Sequence, residues 1–217
     1  MNSSGGKNEG YFDHAPNGFR WRAAIWRVGG AVTVLGTLGG AQSFASGITE
    51  TGIVVGRSTT ASSAPHGFVW RDGRMRDLGT LGGDVTEPRG FNVLGHVVGV
   101  SSIAPGGELH AFLWRDGRMT DLGPTTELQP AGINVWGQVV GCSLSPETGR
   151  NELVLWQNGR TADLTALAGG GHPANCAGRG MNDRGQIVAA VQDPDTDAGP
   201  FRGVLWTIPV LWGHLPH

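Results

Sequence analysis

The chain has 217 residues, of which 38 are glycine and 12 are proline. Glycine inside a helix costs about 1 kcal/mol against alanine and proline about 3 kcal/mol, so this density excludes a helix bundle, a coiled coil and a doubly wound α/β domain. A composition of 39% hydrophobic and 16% charged residues excludes a disordered chain, and a net charge of −2 with no basic block excludes a sequence-independent nucleic-acid binder.

Residues 1–18 are polar, lack the basic-then-apolar layout of a signal peptide, and read as a flexible segment ahead of a single domain over 19–217. By that absence the expected location is cytoplasmic. From Arg22 the text repeats. Trp26, Trp70, Trp114, Trp156 and Trp206 lie 44, 44, 42 and 50 residues apart, each closing a short apolar strand (for example His66-Gly-Phe-Val-Trp70 and His110-Ala-Phe-Leu-Trp114). Asp72-Gly73, Asp116-Gly117 and Asn158-Gly159 follow the second, third and fourth tryptophans, and suit tight hairpin turns because glycine accepts positive φ. A second block begins at Gly47, Gly90, Gly132 and Gly180. In three of its copies Asn92, Asn134 or Asn182 opens a turn closed by glycine, and a β-branched strand leaves it.

One repeat is therefore a four-stranded meander, and a period near 44 residues predicts an all-β, β-propeller-like array of antiparallel blades. Repeat boundaries fall near 22–65, 66–109, 110–151 and 152–201, with a partial unit over 202–217 where Pro209 stands at the turn. Four or five blades, one partial, fit the text, since the strands can be divided in two phases. In one phase the Ala23–Gly36 hairpin is an orphan half-blade that needs a partner, so an open array or ring closure through an oligomer remains an alternative. Gly203–Trp212 is apolar but too short to span a bilayer.

His110-Ala-Phe112 followed by LWRDGRMTDLG and GINVWGQVVGCS resembles the HAF-family repeat of bacterial proteins, over roughly residues 22–206. That resemblance implies a repeat β fold, an extracellular location and no assigned activity.

In an antiparallel meander alternate connections emerge at the same end. The Asp-Gly and Asn-type turns thus share one end, where they are short and repetitive. The connections over 37–43, 80–89, 124–130 and 166–179, and over 57–65, 101–109, 144–151 and 192–201, share the other, and variable loops on a rigid scaffold are where binding groups concentrate. Candidate ligand-binding residues there are Arg22, His66, Arg89, His110, Glu152, His172 and Arg202. The plainer reading is that each strand-opening His bonds a neighbour and packs beside its Phe and Trp. Asp77, Asp121 and Asp163 recur at one register and read as a structural hydrogen bond inside each blade.

Other constellations are weak. Asp193, Asp195 and Asp197 alternate like a calcium loop but lack the closing Glu. His172 and Cys176 have no second ligand pair, and the paired glycines precede no helix that could cradle phosphate. No metal and no cofactor is expected. Cys142 and Cys176 read as two small buried thiols, with a single bridge as the alternative. Trp21, Trp136 and Trp212 stand outside the register as candidate stacking platforms for sugars.

The function that follows is a non-enzymatic binding module whose long-connection end engages a protein, a glycan or a small-molecule ligand, without nucleic-acid or membrane partners. The alternative is a lyase, isomerase or cyclase for a small molecule, with His172, His110, His66 and Glu152 as acid–base groups. A truncated family member without independent function is the third possibility.

Overall fold

The computed structural model describes residues 11–15, 18–26, 28–147, 149–164, 180–192 and 201–208. All its regular elements are strands, and no helix among these residues is long and apolar enough to cross a membrane. Strands β1 (Tyr11–Ala15) and β2 (Gly18–Arg22) pair as a hairpin, so strand structure enters the segment that composition reads as flexible. The short β3 (Ala24–Ile25) and β4 (Thr33–Val34) form a second two-stranded sheet.

Three four-stranded antiparallel sheets follow. The first blade is β5 (Gly39–Ile48), β6 (Val54–Thr60), β7 (Pro65–Arg71) and β8 (Arg74–Asp77). The second is β9 (Thr86–Phe91), β10 (Val97–Ser102), β11 (Leu109–Arg115) and β12 (Arg118–Pro124). The third is β13 (Gln129–Ile133), β14 (Val139–Leu144), β15 (Asn151–Gln157) and β16 (Arg160–Asp163). The fourth shows three strands among the described residues, β17 (Gly180–Met181), β18 (Gln186–Gln192) and β19 (Phe201–Thr207).

This topology decides the phase that the sequence left open. A blade starts with the glycine-opened second block and ends with the strand after the Asp-Gly turn, and β3–β4 is the third-and-fourth-strand half of a unit. The turn chemistry is as the residues require. Asp72 and Gly73 both have positive φ (50° and 80°), as do Asp116 with Gly117 and Asn158 with Gly159, the backbone of a tight two-residue hairpin. At the other turn type, the Asn92 Oδ1 accepts the Leu94 and His96 amides at 3.0 Å each, and Asn134 and Asn182 repeat the arrangement.

The core is a series of layers between successive units. Ala23 and Leu35 pack with Val54 and Phe68. Val55, Val69 and Leu78 of the first blade pack with Val97, Phe112 and Trp114 of the second. Val98, Ala111 and Leu113 then meet Ile133, Val139 and Val154, and Val140, Leu153 and Leu155 meet Ile187 and Ala189. In the first three blades the two adjacent valines of the second strand serve opposite layers, because successive side chains on a strand point to opposite faces.

The first strands of the blades meet at the centre of the array. A Cβ on Gly90 would stand 2.8 Å from the Ala131 carbonyl oxygen and 3.0 Å from the Gly132 Cα. A Cβ on Gly132 would stand 3.2 Å from the Met181 amide nitrogen. Each of these inner strands also carries a bulge. The pairing register skips Ser46 in β5, Arg89 in β9 and Ala131 in β13.

Cys142, buried in β14, is disulfide-bonded, and there is no free cysteine among the described residues. This corrects the expectation of two buried thiols. The sequence holds one other cysteine, Cys176, which lies outside the described residues.

Candidate functional site

The strand-opening residues come to the end of the array where the blades connect to one another, as alternation of the connections requires. His66 opens β7 and faces the neighbouring strand's Ser58, while Asp77 closes β8. The His66 Nδ1 meets Asp77 Oδ2 at 2.9 Å, and Asp77 Oδ1 accepts the Gly79 amide at 2.8 Å. The second blade repeats this: His110 Nδ1 to Asp121 Oδ2 is 2.9 Å and the Gly123 amide to Asp121 Oδ1 is 2.8 Å. Each imidazole is largely covered, at 17% and 18% side-chain exposure, and its carboxylate partner is about half exposed. Alternation along β7 and β11 places His66 on the face of Phe68 and Trp70, and His110 on that of Phe112 and Trp114, towards the preceding unit.

These pairs tie the third strand of a blade to its fourth. Asp77 and Asp121 thus form the in-blade hydrogen bond that their register suggests. Sequence reasoning did not join them to the histidines, although the signal was present. Both pairs are eleven residues apart around an Asp-Gly turn, and a two-residue hairpin sets such positions diagonally across its strands, the aspartates standing opposite Phe68 and Phe112. In the third blade Glu152 opens β15 opposite Ser143, so a carboxylate replaces the imidazole.

The remaining candidates are distributed. Arg22, at the equivalent position before β3, donates through its guanidinium to the Ala41 carbonyl. Arg202 lies on β19 opposite Val191. Arg89 is an exposed residue of the inner strand β9, not of a loop, and the bulge sets it apart from the ladder. Asp84 accepts the Ser102 hydroxyl and the Gly106 amide, both at 3.3 Å, and so pins two connections together. His172, Asn175, Asp193, Asp195, Asp197 and Trp212 lie outside the described residues.

Several connections are shorter than the repeat text implies, because strands extend into them. The second-to-third-strand links are 61–64, 103–108 and 145–150. They share no sequence, are largely exposed, and sit beside exposed Leu109 and Leu144, with Ile103 exposed on the second of them.

At the opposite end the short turns are knitted across blades. The Asn92 side-chain amide donates to the Asn134 carbonyl at 2.9 Å, and Asp183 Oδ1 accepts the Val135 amide at 2.8 Å. Trp136, on a turn tip and 59% exposed, donates its indole N–H to the Asp183 carbonyl at 3.2 Å. Val93 and Leu94 are exposed on the neighbouring tip. His96 fills, in the second blade, the place of Gln138 and Gln186. Its Nδ1 accepts the Asn92 side-chain amide at 3.1 Å, the role taken by the Gln138 and Gln186 carbonyl oxygens. Burial lowers its pKa below the ordinary value of 6.5. Asp116 opposes that shift, and Arg115 adds to it.

No family model matches the chain, and no curated protein does. Among solved structures it is similar to a protein named as a TolB from Agrobacterium tumefaciens, at 12% identity and a TM-score of 0.54, over 93% of this chain and 77% of that one. The fold is β-propeller-like. A TolB from Acinetobacter baumannii aligns at 12% identity and a TM-score of 0.47, over 72% of this chain and 38% of that one. The β-propeller domain of the trilobed protease from Pyrococcus furiosus aligns at 8% identity and a TM-score of 0.43, over 91% and 82%. This chain thus spans well under half of the Acinetobacter protein. At these identities the likeness is one of fold alone.

Proposed function

We propose that the chain is a propeller-type binding module that engages a protein or glycan through the end where its blades connect. One observation carries this reading. The recurring polar groups at that end are bonded within their own blades, whereas the links over 61–64, 103–108 and 145–150 differ in every blade and are largely exposed. Exposed Ile103, Leu109 and Leu144 alternate there with exposed Glu108 and Glu147. Exposed apolar side chains set among charged ones suit a recognition surface. His66, His110 and Glu152 border it.

The setting of Cys142 supports an extracellular or envelope location, since structural disulfides persist in oxidising compartments. It agrees with the location that the HAF-repeat resemblance implies.

The test is capture on immobilised protein of ligands from a glycan panel and from an envelope extract. Replacing 103–108 with a Gly-Ser link of equal length should abolish retention of the specific ligand, while His66→Gln and His110→Gln should leave it within about twofold. Retention that survives the loop replacement overturns the reading.

A second reading has its own observation. In His66 and His110 the carboxylate holds Nδ1 and leaves Nε2 for proton transfer, the arrangement an orienting carboxylate gives a general base. Turnover of a small molecule that disappears in both glutamine variants would establish an acid–base enzyme of the lyase, isomerase or cyclase class.

A further inference from the structure

Every unit of the array has a leading face, towards the preceding unit, and a trailing face, towards the next. The trailing face carries one recurrent cross-strand pair: Val55 with Val69, Val98 with Leu113, Val140 with Leu155 and Val188 with Leu205. In the first three blades the next unit covers it, and none of those six residues is more than 8% exposed. In the fourth blade Val188 is 47% exposed and Leu205 62%.

The leading face carries the recurrent tryptophan. Trp114 packs in the layer that holds Val55 and Val69. Trp156 packs against the layer of Val98 and Leu113, and Trp206 against that of Leu155 and Val140. At the head of the array the equivalent residue is Trp26, which follows β3. It is 43% exposed, against 7% for Trp114. Val34 pairs with Ala24 and lies two residues from Val32, so both share a face of the β3–β4 half-blade, and they are 46% and 40% exposed. The opposite face of that half-blade is the one filled by the first blade, through Ala23, Leu35 and Ile25.

Among the described residues two faces are therefore uncovered, a leading face at Trp26, Val32 and Val34 and a trailing face at Val188 and Leu205. We propose that these faces join between two copies of this chain, the fourth blade of one stacking on the N-terminal half-blade of the other. The choice of occupant follows from continuity with the layers already built. In all three blade-to-blade layers, the surface covering a trailing pair is the leading face of another unit of this repeat, tryptophan included. Within one chain the described residues leave Trp26, Val32, Val34, Val188 and Leu205 all exposed. A second copy supplies a leading face to Val188 and Leu205 and a trailing face to Trp26. The contact is head-to-tail, so it closes a ring where the rotation allows and extends into a filament where it does not.

Sedimentation velocity on the 217-residue chain across a wide concentration range tests the proposal. The expected result is a species of at least two chains that dissociates on dilution. Val188→Glu and Leu205→Glu should each weaken association at least about tenfold, with the far-ultraviolet circular dichroism unchanged because both positions are exposed. Mixing Leu205→Cys with Trp26→Cys protein should give a cross-link between copies that neither variant forms alone. A monomer at every concentration overturns the proposal, as does association that survives both glutamates. Closure of the Leu205→Cys, Trp26→Cys double variant within one chain at high dilution would show that the chain covers its own end, and would also overturn it.

Discussion

The sharpest energetic prediction concerns Gly99, in the middle of β10. Its φ lies outside the positive region, so alanine there carries no backbone strain, and any cost is steric. A Cβ built on Gly99 overlaps the Glu87 carbonyl oxygen of β9 and stands 2.9 Å from both the Phe112 ring and the Pro88 Cα. Two of these three neighbours are backbone atoms of a strand already bent by the Arg89 bulge, and the ring is fully buried. Neither side can yield cheaply. Overpacking of a filled interior costs about 1–3 kcal/mol, and contacts this short on both sides place Gly99→Ala at the upper end, about 2–3 kcal/mol. For a chain of this size that corresponds to a fall of about 4–12 °C in melting temperature. The control is Gly203→Ala in β19, where a Cβ meets nothing within 4 Å and should change stability by less than about 0.5 kcal/mol. The fourth blade itself carries Ala189 at the position of Gly99. Thermal unfolding followed by circular dichroism reads both variants. If Gly99→Ala melts within a degree of the parent chain, the strand-to-strand approach described for the blade interior is wrong.

Two further outcomes follow from the residues around the turns and the disulfide. Because burial lowers the His96 pKa in the folded chain, the unfolded chain binds more protons between that lowered value and 6.5. Stability is therefore complete above that window and is lost as the pH falls through it. His96→Gln, the residue that stands at the same place in the next two blades, should remove this dependence in denaturant titrations run across that range. Cys142 should yield no titratable thiol before reduction, and Cys142→Ala should lower stability by about 2–4 kcal/mol, with reductant producing the same loss in the parent chain. A parent chain whose melting is indifferent to reductant would refute that setting for Cys142.

The sequence by itself determined the strands, their turns and their order. Asp72-Gly73 and Asn92 through Gly95 specify their turns through local backbone chemistry, which acts over a few residues and repeats wherever the residues repeat. Period and turn type together were enough to predict four-stranded antiparallel units. Four things were not read there, and each depends on contacts beyond a single turn. The phase of the blades rests on which hairpins share a sheet, and both divisions of the text satisfy the local rules. The coupling of His66 to Asp77 rests on side chains meeting across two strands. The bonding of Cys142 rests on which thiol folding brings beside it. The exposure of Val188 and Leu205 was hidden for a different reason. Their text matches that of the buried pairs in the preceding blades, and only the neighbour present or absent beyond a sheet face decides whether an apolar pair is core or surface. Local turn chemistry is written into each repeat, but burial belongs to the stack, and it took the tertiary structure to show where the stack is left open.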